Sequence, residues 1–357
     1  MKKTLLATTA LAFVAAHASA VDVELYGQVN KGLFAYDDGE NTDFVVQDNS
    51  LSSTRFGVKG AQALDNGLTA SVLLEGEMAS NASNALTQNS GAGNSSTPTN
   101  TTSVTFNERQ ARVGLSGNFG GVYVGQQSTA IDGVLTQDLV GGQDVMSADY
   151  AQIGAGYNLR NSAGALTANK IGDLVSGIAQ SREDSVRYDS PIFAGFQARA
   201  SVAQGGNAEG AVFYDGAAGD FKIKGAGGVR FVNDQTATGT DVEQQYAASL
   251  SAAHSSGLGA TIAYDRADRE TGRDADSWYA KVGYSWDAFE VAADYGVNDD
   301  YAGAATSSEL ESFGLGAQYN LGQGVSVAGL YRNYDAKVAG VSAQDIDLYG
   351  VNMRVKF

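Results

Sequence analysis

From residue 21 to residue 357 the sequence alternates between short turns and longer polar stretches, and few folds can use that rhythm. The turns are Leu64-Asp65-Asn66-Gly67, Ser116 to Gly121, Ser190-Pro191, Gly216 to Gly219, Ser255-Ser256-Gly257, Trp286-Asp287 and Asn320 to Gly324. The longer stretches are Asp37 to Ser50, Met78 to Ser103, Gln127 to Ser181, Asn233 to Asp241, Asp268 to Asp274, Asn298 to Glu309 and Asp335 to Gln344, with Gln204 to Asn207 a shorter member. Between them the chain runs with a period of two. Tyr349, Val351, Met353, Val355 and Phe357 share one parity, and Gly350, Asn352, Arg354 and Lys356 share the other. Phe289, Val291, Ala293 and Tyr295 likewise oppose Glu290, Ala292 and Asp294, and Leu68, Ala70, Val72 and Leu74 oppose Thr69, Ser71 and Glu75. Such segments are strands whose two faces meet different surroundings. Short hairpins at one end and long loops at the other predict an up-and-down antiparallel sheet of about sixteen strands.

The surroundings follow from what the chain lacks. No later run reaches the roughly 18 apolar residues of a membrane helix, and the mean hydropathy is −0.18. If the chain crosses a membrane, only a closed barrel can do so, because lipid offers no partner to a sheet edge. The 45 Gly and 17 Tyr suit tight turns and interfacial aromatic girdles, and the 2 Pro, Pro98 and Pro191, fall outside the strands. The expected fold is therefore all-β, a transmembrane antiparallel up-and-down β-barrel.

Residues 1–20 read as an export leader that is removed. Lys2 and Lys3 precede a short apolar run from Thr4 to Ala16, and Ala18-Ser19-Ala20 has the small-residue pattern of a cleavage site. The barrel domain is then 21–357. Without the two leader lysines it carries 21 basic against 40 acidic side chains, a net charge of 21 − 40 = −19. That balance excludes nucleic acid as a partner and suits a cation-attracting pore. Cysteine is absent, so neither disulfides nor thiolate metal sites hold the exported fold.

Five blocks, met in order, resemble the general diffusion porins of Gram-negative bacteria. They are Leu25-Tyr26-Gly27; Ser53 to Gly60; Arg109 to Leu115 with Phe119-Gly120 and Gly125-Gln126-Gln127; Arg182 to Phe196; and the terminal strand ending on Phe357. The resemblance implies an outer-membrane homotrimer of sixteen-stranded barrels, surrounded by lipid and lipopolysaccharide. Each would pass small hydrophilic solutes and ions by passive diffusion, with no enzyme activity and no cofactor. It also implies that the long third loop, Gln127 to Ser181, folds into the lumen, which accounts for so long a connection.

In such a pore, opposed charges on facing walls set a transverse field that sorts solutes. Arg55 and Lys59 share the parity opposite Phe56 and Val58, which places both toward the lumen, and the resemblance adds Arg109 and Arg182 to this basic wall. Arg112 has the other parity from Arg109, so one regular strand cannot turn both inward, and it is expected at a subunit contact or strand end. The acids set against the wall are Asp132 and Asp138, then Asp144 and Asp149. Departures from the family pattern include Gln28 and Gln126 at positions that are basic in some porins, and Val140-Gly141-Gly142-Gln143-Asp144 where some have Pro-Glu-Phe-Gly-Gly. Fewer wall cations and an acidic total predict weak cation selectivity.

Other readings have less to stand on. A hydrolase needs an activated nucleophile, and the only His after the leader, His254, sits in a turn beside Ser255-Ser256-Gly257 with nothing to orient it. Zinc lacks paired His or Cys ligands, and Asp265, Asp268, Asp274 and Asp276 do not have calcium-loop spacing. A substrate-specific sugar channel would line its lumen with an aromatic track, which Tyr26, Tyr123, Tyr214 and Tyr264 do not form in sequence. An adhesin or structural barrel with a blocked lumen is separated from a porin by conductance.

Overall fold

The computed structural model describes residues 22–88, 105–178, 181–233 and 242–357. The leader read into residues 1–20 lies outside them. Among the described residues sixteen antiparallel strands form one closed sheet. In chain order they are β1 Asp22–Asp37, β2 in two pieces (Thr42–Asp48 and Arg55–Ala63), β3 Thr69–Ala79, β4 Thr105–Gly117, β5 Gly120–Ser128, β6 Arg182–Asp189, β7 Phe196–Ala203 and β8 Ala208–Ala218. They continue as β9 Phe221–Phe231, β10 Val242–His254, β11 Leu258–Arg269, β12 Ala275–Trp286, β13 Phe289–Asp299, β14 Ser308–Gly322, β15 Val325–Val338 and β16 Ile346–Lys356. Each strand pairs with the next, and β16 returns to β1 in a register running from Gln28 opposite Lys356 to Asp37 opposite Asp347. Gly27 and Phe357 exchange both backbone hydrogen bonds at 3.0 Å, so the ladder closes without a free edge. The hairpin turns are tight: Gly257, at φ +97°, donates its N–H to the His254 carbonyl at 2.9 Å, and a side chain there would strike the Ser285 carbonyl.

The outer face is apolar. Tyr349, Val351 and Met353 stand about half exposed on β16 while Leu348 and Asn352 beside them are buried. Leu25, Val29 and Leu33 on β1, Leu250 on β10, Ile262 on β11 and Val282 on β12 extend the same exposed band. A belt of that extent marks contact with hydrocarbon, not water. Aromatic pairs edge it at both ends. Tyr284, Trp286 and Phe289 stack in sequence at 5.7 and 5.6 Å near the turns, Phe289 meets Tyr319 at a tilt at 4.6 Å, and Tyr264 meets Trp278 at 4.4 Å near the loops.

The inner face is half dry. The connection between β5 and β6 crosses the interior, where Ile131, Val134, Val140, Met146, Tyr150 and Ile153 are buried. Inward glycines make room for it: Val140 lies against Gly283, Tyr150 against Gly296 and Met146 against Gly316. Tyr36 stacks on Tyr157 at 4.4 Å, and the Tyr334 hydroxyl donates to the Ile153 carbonyl at 2.7 Å.

Three stretches differ from the sequence reading. Within Asp37 to Ser50, residues 42–48 are strand, because Phe44 and Val46 have an apolar exterior to face while Val45 and Gln47 pack inside. The described start of Met78 to Ser103 turns inward as well: Leu86 is buried and the Ser83 hydroxyl donates to the Gln152 carbonyl at 2.6 Å. Within Gln127 to Ser181, Asn158–Arg160 and Leu166–Lys170 pair as a small hairpin.

Arg332 and Asp294 form a fully buried pair at 2.7 Å, with the Tyr279 hydroxyl donating to the same Asp294 oxygen at 3.0 Å. Asp294→Ala leaves the guanidinium uncompensated and should cost about 3–5 kcal/mol. The heat-modified electrophoretic shift of the detergent-solubilised barrel should move to lower temperature, and Asp294→Leu with Arg332→Met should recover most of the loss.

Candidate functional site

Between Asp48 and Arg55 the second strand leaves the wall and turns into the lumen. Asn49, Ser50, Ser52, Ser53 and Thr54 offer side-chain partners that compete with a sheet ladder. The Asn49 side chain accepts from Leu51 N–H at 3.0 Å, and the Gln28 amide donates to the Ser52 and Ser53 carbonyls at 2.6 and 2.9 Å. This excursion forms one rim of a cavity of about 350 Å³ inside the barrel.

Three arginines from the basic-wall set border that cavity: Arg55, Arg109 and Arg182. Glu75, buried on β3, gathers two of them. Its carboxylate meets Arg109 Nε at 2.8 Å and Arg55 Nε at 3.4 Å, and accepts the Tyr26 hydroxyl at 2.9 Å. Arg109 also reaches Glu77 at 3.2 Å. The buried Nε of Arg182 has no hydrogen-bond partner among the described residues. Lys59 stands apart, half exposed beside Glu24 at 3.1 Å and 4.6 Å over the Tyr26 ring.

The same cavity is lined by Asp132, Asp138 and Asp149. Asp132 accepts from Ser181 N–H at 3.1 Å. Burial raises its carboxyl above the ordinary range, with the Arg182 charge acting the other way. Asp138 is fixed to the far wall by Lys281 Nζ at 2.6 Å and the Thr261 hydroxyl at 2.7 Å. Asp149 accepts from the Gln152 amide at 3.2 Å. Asp144 is placed differently: it is fully buried away from the cavity, bound to Arg354 and the Ser326 hydroxyl, and ties the crossing segment to β15 and β16.

Arg112 corrects the parity argument. A register shift opposite Glu75 and Gly76 inserts a residue into β4 at Arg109, so Arg109 and Arg112 both face inward. Arg112 lies over the Tyr123 ring with its Cζ at 4.4 Å. Arg354, Glu75 and Lys281 were not among the sequence-derived site residues. Strand alternation places Arg354 and Glu75 on the inner face, whereas nothing in the sequence pairs Lys281 with Asp138.

The remaining candidates have local partners. His254 Nδ1 and the Ser256 hydroxyl lie 2.8 Å apart in an exposed turn. Arg266 gathers Asp268, Asp274 and Asp276, and Asp265 accepts from the Tyr301 hydroxyl. Tyr26 and Tyr123 face the lumen, while Tyr214 and Tyr264 sit on the outer parity of their strands.

A closed barrel that is apolar outside, with a charged cavity between its wall and a crossing segment, defines the class of membrane β-barrel channels. Within that class the chain belongs to the Gram-negative porin family, whose family model matches residues 7–354. Major outer membrane protein P.IB of Neisseria gonorrhoeae is 33% identical over 211 residues, covering 57% of this chain and 48% of that protein. Outer membrane porin protein 32 of Delftia acidovorans is 31% identical over 202 residues, covering 56% and 48%. The chain thus spans about half the length of these curated relatives. The anion-selective porin from Comamonas acidovorans has a similar fold, with a TM-score of 0.60 at 21% identity over 95% of this chain and all of that one. The trimer form of OmpT from Vibrio cholerae also gives 0.60, at 17% identity, covering 95% and 100%.

Asp144→Ala removes the clasp on Arg354 and Ser326 without entering the cavity. The crossing segment should be cut by protease at least several-fold faster while the sixteen strands keep their β circular dichroism.

Proposed function

We propose that the chain is an outer-membrane pore for passive diffusion of small hydrophilic solutes and ions, weakly cation-selective, acting as a homotrimer after its leader is removed. The carrying observation is the cavity within the closed barrel, lined by Arg55, Arg109 and Arg182 together with Asp132, Asp138 and Asp149, with Asp138 held on β12 by Lys281. Facing charges of opposite sign orient dipolar solutes in the gap and make apolar ones lose hydration without compensation. Lys59, in this reading, acts at the rim, and Asp144 acts as an anchor.

The sign of selectivity follows from the local count. Arg55, Arg109, Arg182, Lys281 and Arg354 give five positive charges, and Glu75, Glu77, Asp132, Asp138, Asp144 and Asp149 give six negative, a balance of 5 − 6 = −1. Without its leader the chain carries 21 − 40 = −19. A nearly matched constriction under an acidic total favours cations slightly. The anion-selective neighbour shares the fold at 21% identity, so its preference does not transfer.

In planar bilayers purified protein should give ohmic steps in groups of three, and a potassium chloride gradient should give a reversal potential of potassium sign. A chloride-signed potential contradicts the selectivity, and silence favours an adhesin or structural barrel. Asp132, with its carboxyl raised by burial, gains a proton at higher pH than an ordinary aspartate as the solution is acidified. Cation preference should therefore begin to fall at a higher pH than an ordinary aspartate would give, and Asp132→Asn should remove that early part of the pH profile.

A further inference from the structure

Below the cavity the same wall carries guanidinium groups that the reading above leaves without a task. Arg112 on β4, Arg187 on β6 and Arg199 on β7 face inward beside Tyr123 of β5 and Phe213 of β8. They form one patch in the sheet, since Tyr123 opposes Arg187 and Asp189 opposes Arg199. Strand β6 starts at Arg182 beside the cavity, so Arg187 is about 16 Å farther along the wall.

Their charges are matched unequally. Arg187 holds Asp189 through two bonds, at 2.9 and 3.0 Å, and donates to the Ser128 carbonyl. Arg112 has its Cζ 4.4 Å over the Tyr123 ring, and its buried Nε finds no hydrogen-bond partner among the described residues. Arg199 has its Cζ 4.0 Å over the Phe213 ring, and its Nε and Nη2 both donate to the neutral Gln197 oxygen, at 3.2 and 3.1 Å. Asp189 also acts on Arg112 and Arg199, so one carboxylate serves three guanidinium groups and two positive charges are in excess on the patch. The cavity arginines Arg55 and Arg109, by contrast, share Glu75.

A guanidinium laid on an aromatic ring has one face covered and its in-plane N–H groups still directed outward, the arrangement that matches a planar carboxylate. Space lies beside it: Arg112 borders an open volume of about 470 Å³ together with Lys59, Ser71 and Leu73. Asp22 and Glu24 border that volume too, Glu24 being matched by Lys59 at 3.1 Å.

We propose that Arg112 and Arg199 form a second solute station that retains small carboxylates beyond the cavity, with Tyr123 and Phe213 holding the guanidinium planes. The proposal rests on the channel reading. It makes the pore selective among the anions that do enter, while its bulk preference stays weakly cationic.

Single-channel recording in potassium chloride, with sodium succinate added to one side at a time, tests it. Succinate should interrupt the current in a saturable way. In the Arg112→Gln/Arg199→Gln variant the half-blocking concentration should rise roughly tenfold, as expected for losing charge-assisted bonds at a hydrated site, with wild-type β circular dichroism retained. Arg112→Lys/Arg199→Lys keeps the charge but not the planar fork and should fall between the two. Potassium chloride steps that succinate leaves untouched, or an unchanged midpoint in the Gln variant, would overturn the station alone. Absence of any step would sink the channel reading with it.

Discussion

Closure of the backbone ladder between β1 and β16 is the constraint from which the rest descends. In hydrocarbon an unpaired strand edge has nothing to bond with, so the sheet must meet itself. The ten register pairs from Gln28–Lys356 to Asp37–Asp347 make that seam. A ring of sixteen strands then encloses more space than inward side chains can fill. The chain fills part of it with its own β5–β6 connection and leaves the remainder wet.

The division between dry and wet sides also divides the charges. Where the crossing segment packs on the wall, each ion has a close partner: Arg332 with Asp294, Lys281 with Asp138, Arg354 with Asp144. Burial there makes an unmatched charge too costly. Toward the open side matching loosens, from Arg55 and Arg109 sharing Glu75, to Arg182, whose Nε has no partner among the described residues, to Arg112 and Arg199 resting on rings. Water tolerates that looseness. The anchors and the field are thus parts of one arrangement, because the ion pairs that seat the crossing segment also fix where its remaining acids point.

Much of this was legible in the residues. Alternation gave the inward face of Glu290 and Asp294 and the outward face of Val351 and Phe357, because the two sides of a barrel strand meet unlike solvents. Five blocks gave the family. The lumen was less legible, since contacts between the crossing segment and the wall join residues far apart in sequence. Asp138 and Asp144 look alike in a long acidic loop, yet one borders the cavity and the other is buried at the seam. Gly283, Gly296 and Gly316 receive Val140, Tyr150 and Met146, a use that no local pattern marks.

Arg109 and Arg112 show most sharply how a local irregularity defeats a periodic reading. Phe106 and Val113 both point outward, at 63% and 60% exposure, although seven residues apart they have opposite parity. Only an extra residue between them allows this, and the register places it opposite Glu75 and Gly76. The bulge keeps an apolar side chain toward lipid on either side of it. It also turns a second arginine of the strand into the lumen, one group for the cavity and one for the wall below. A single inserted residue thereby doubles the cationic groups that β4 presents to water while leaving its outer face unchanged.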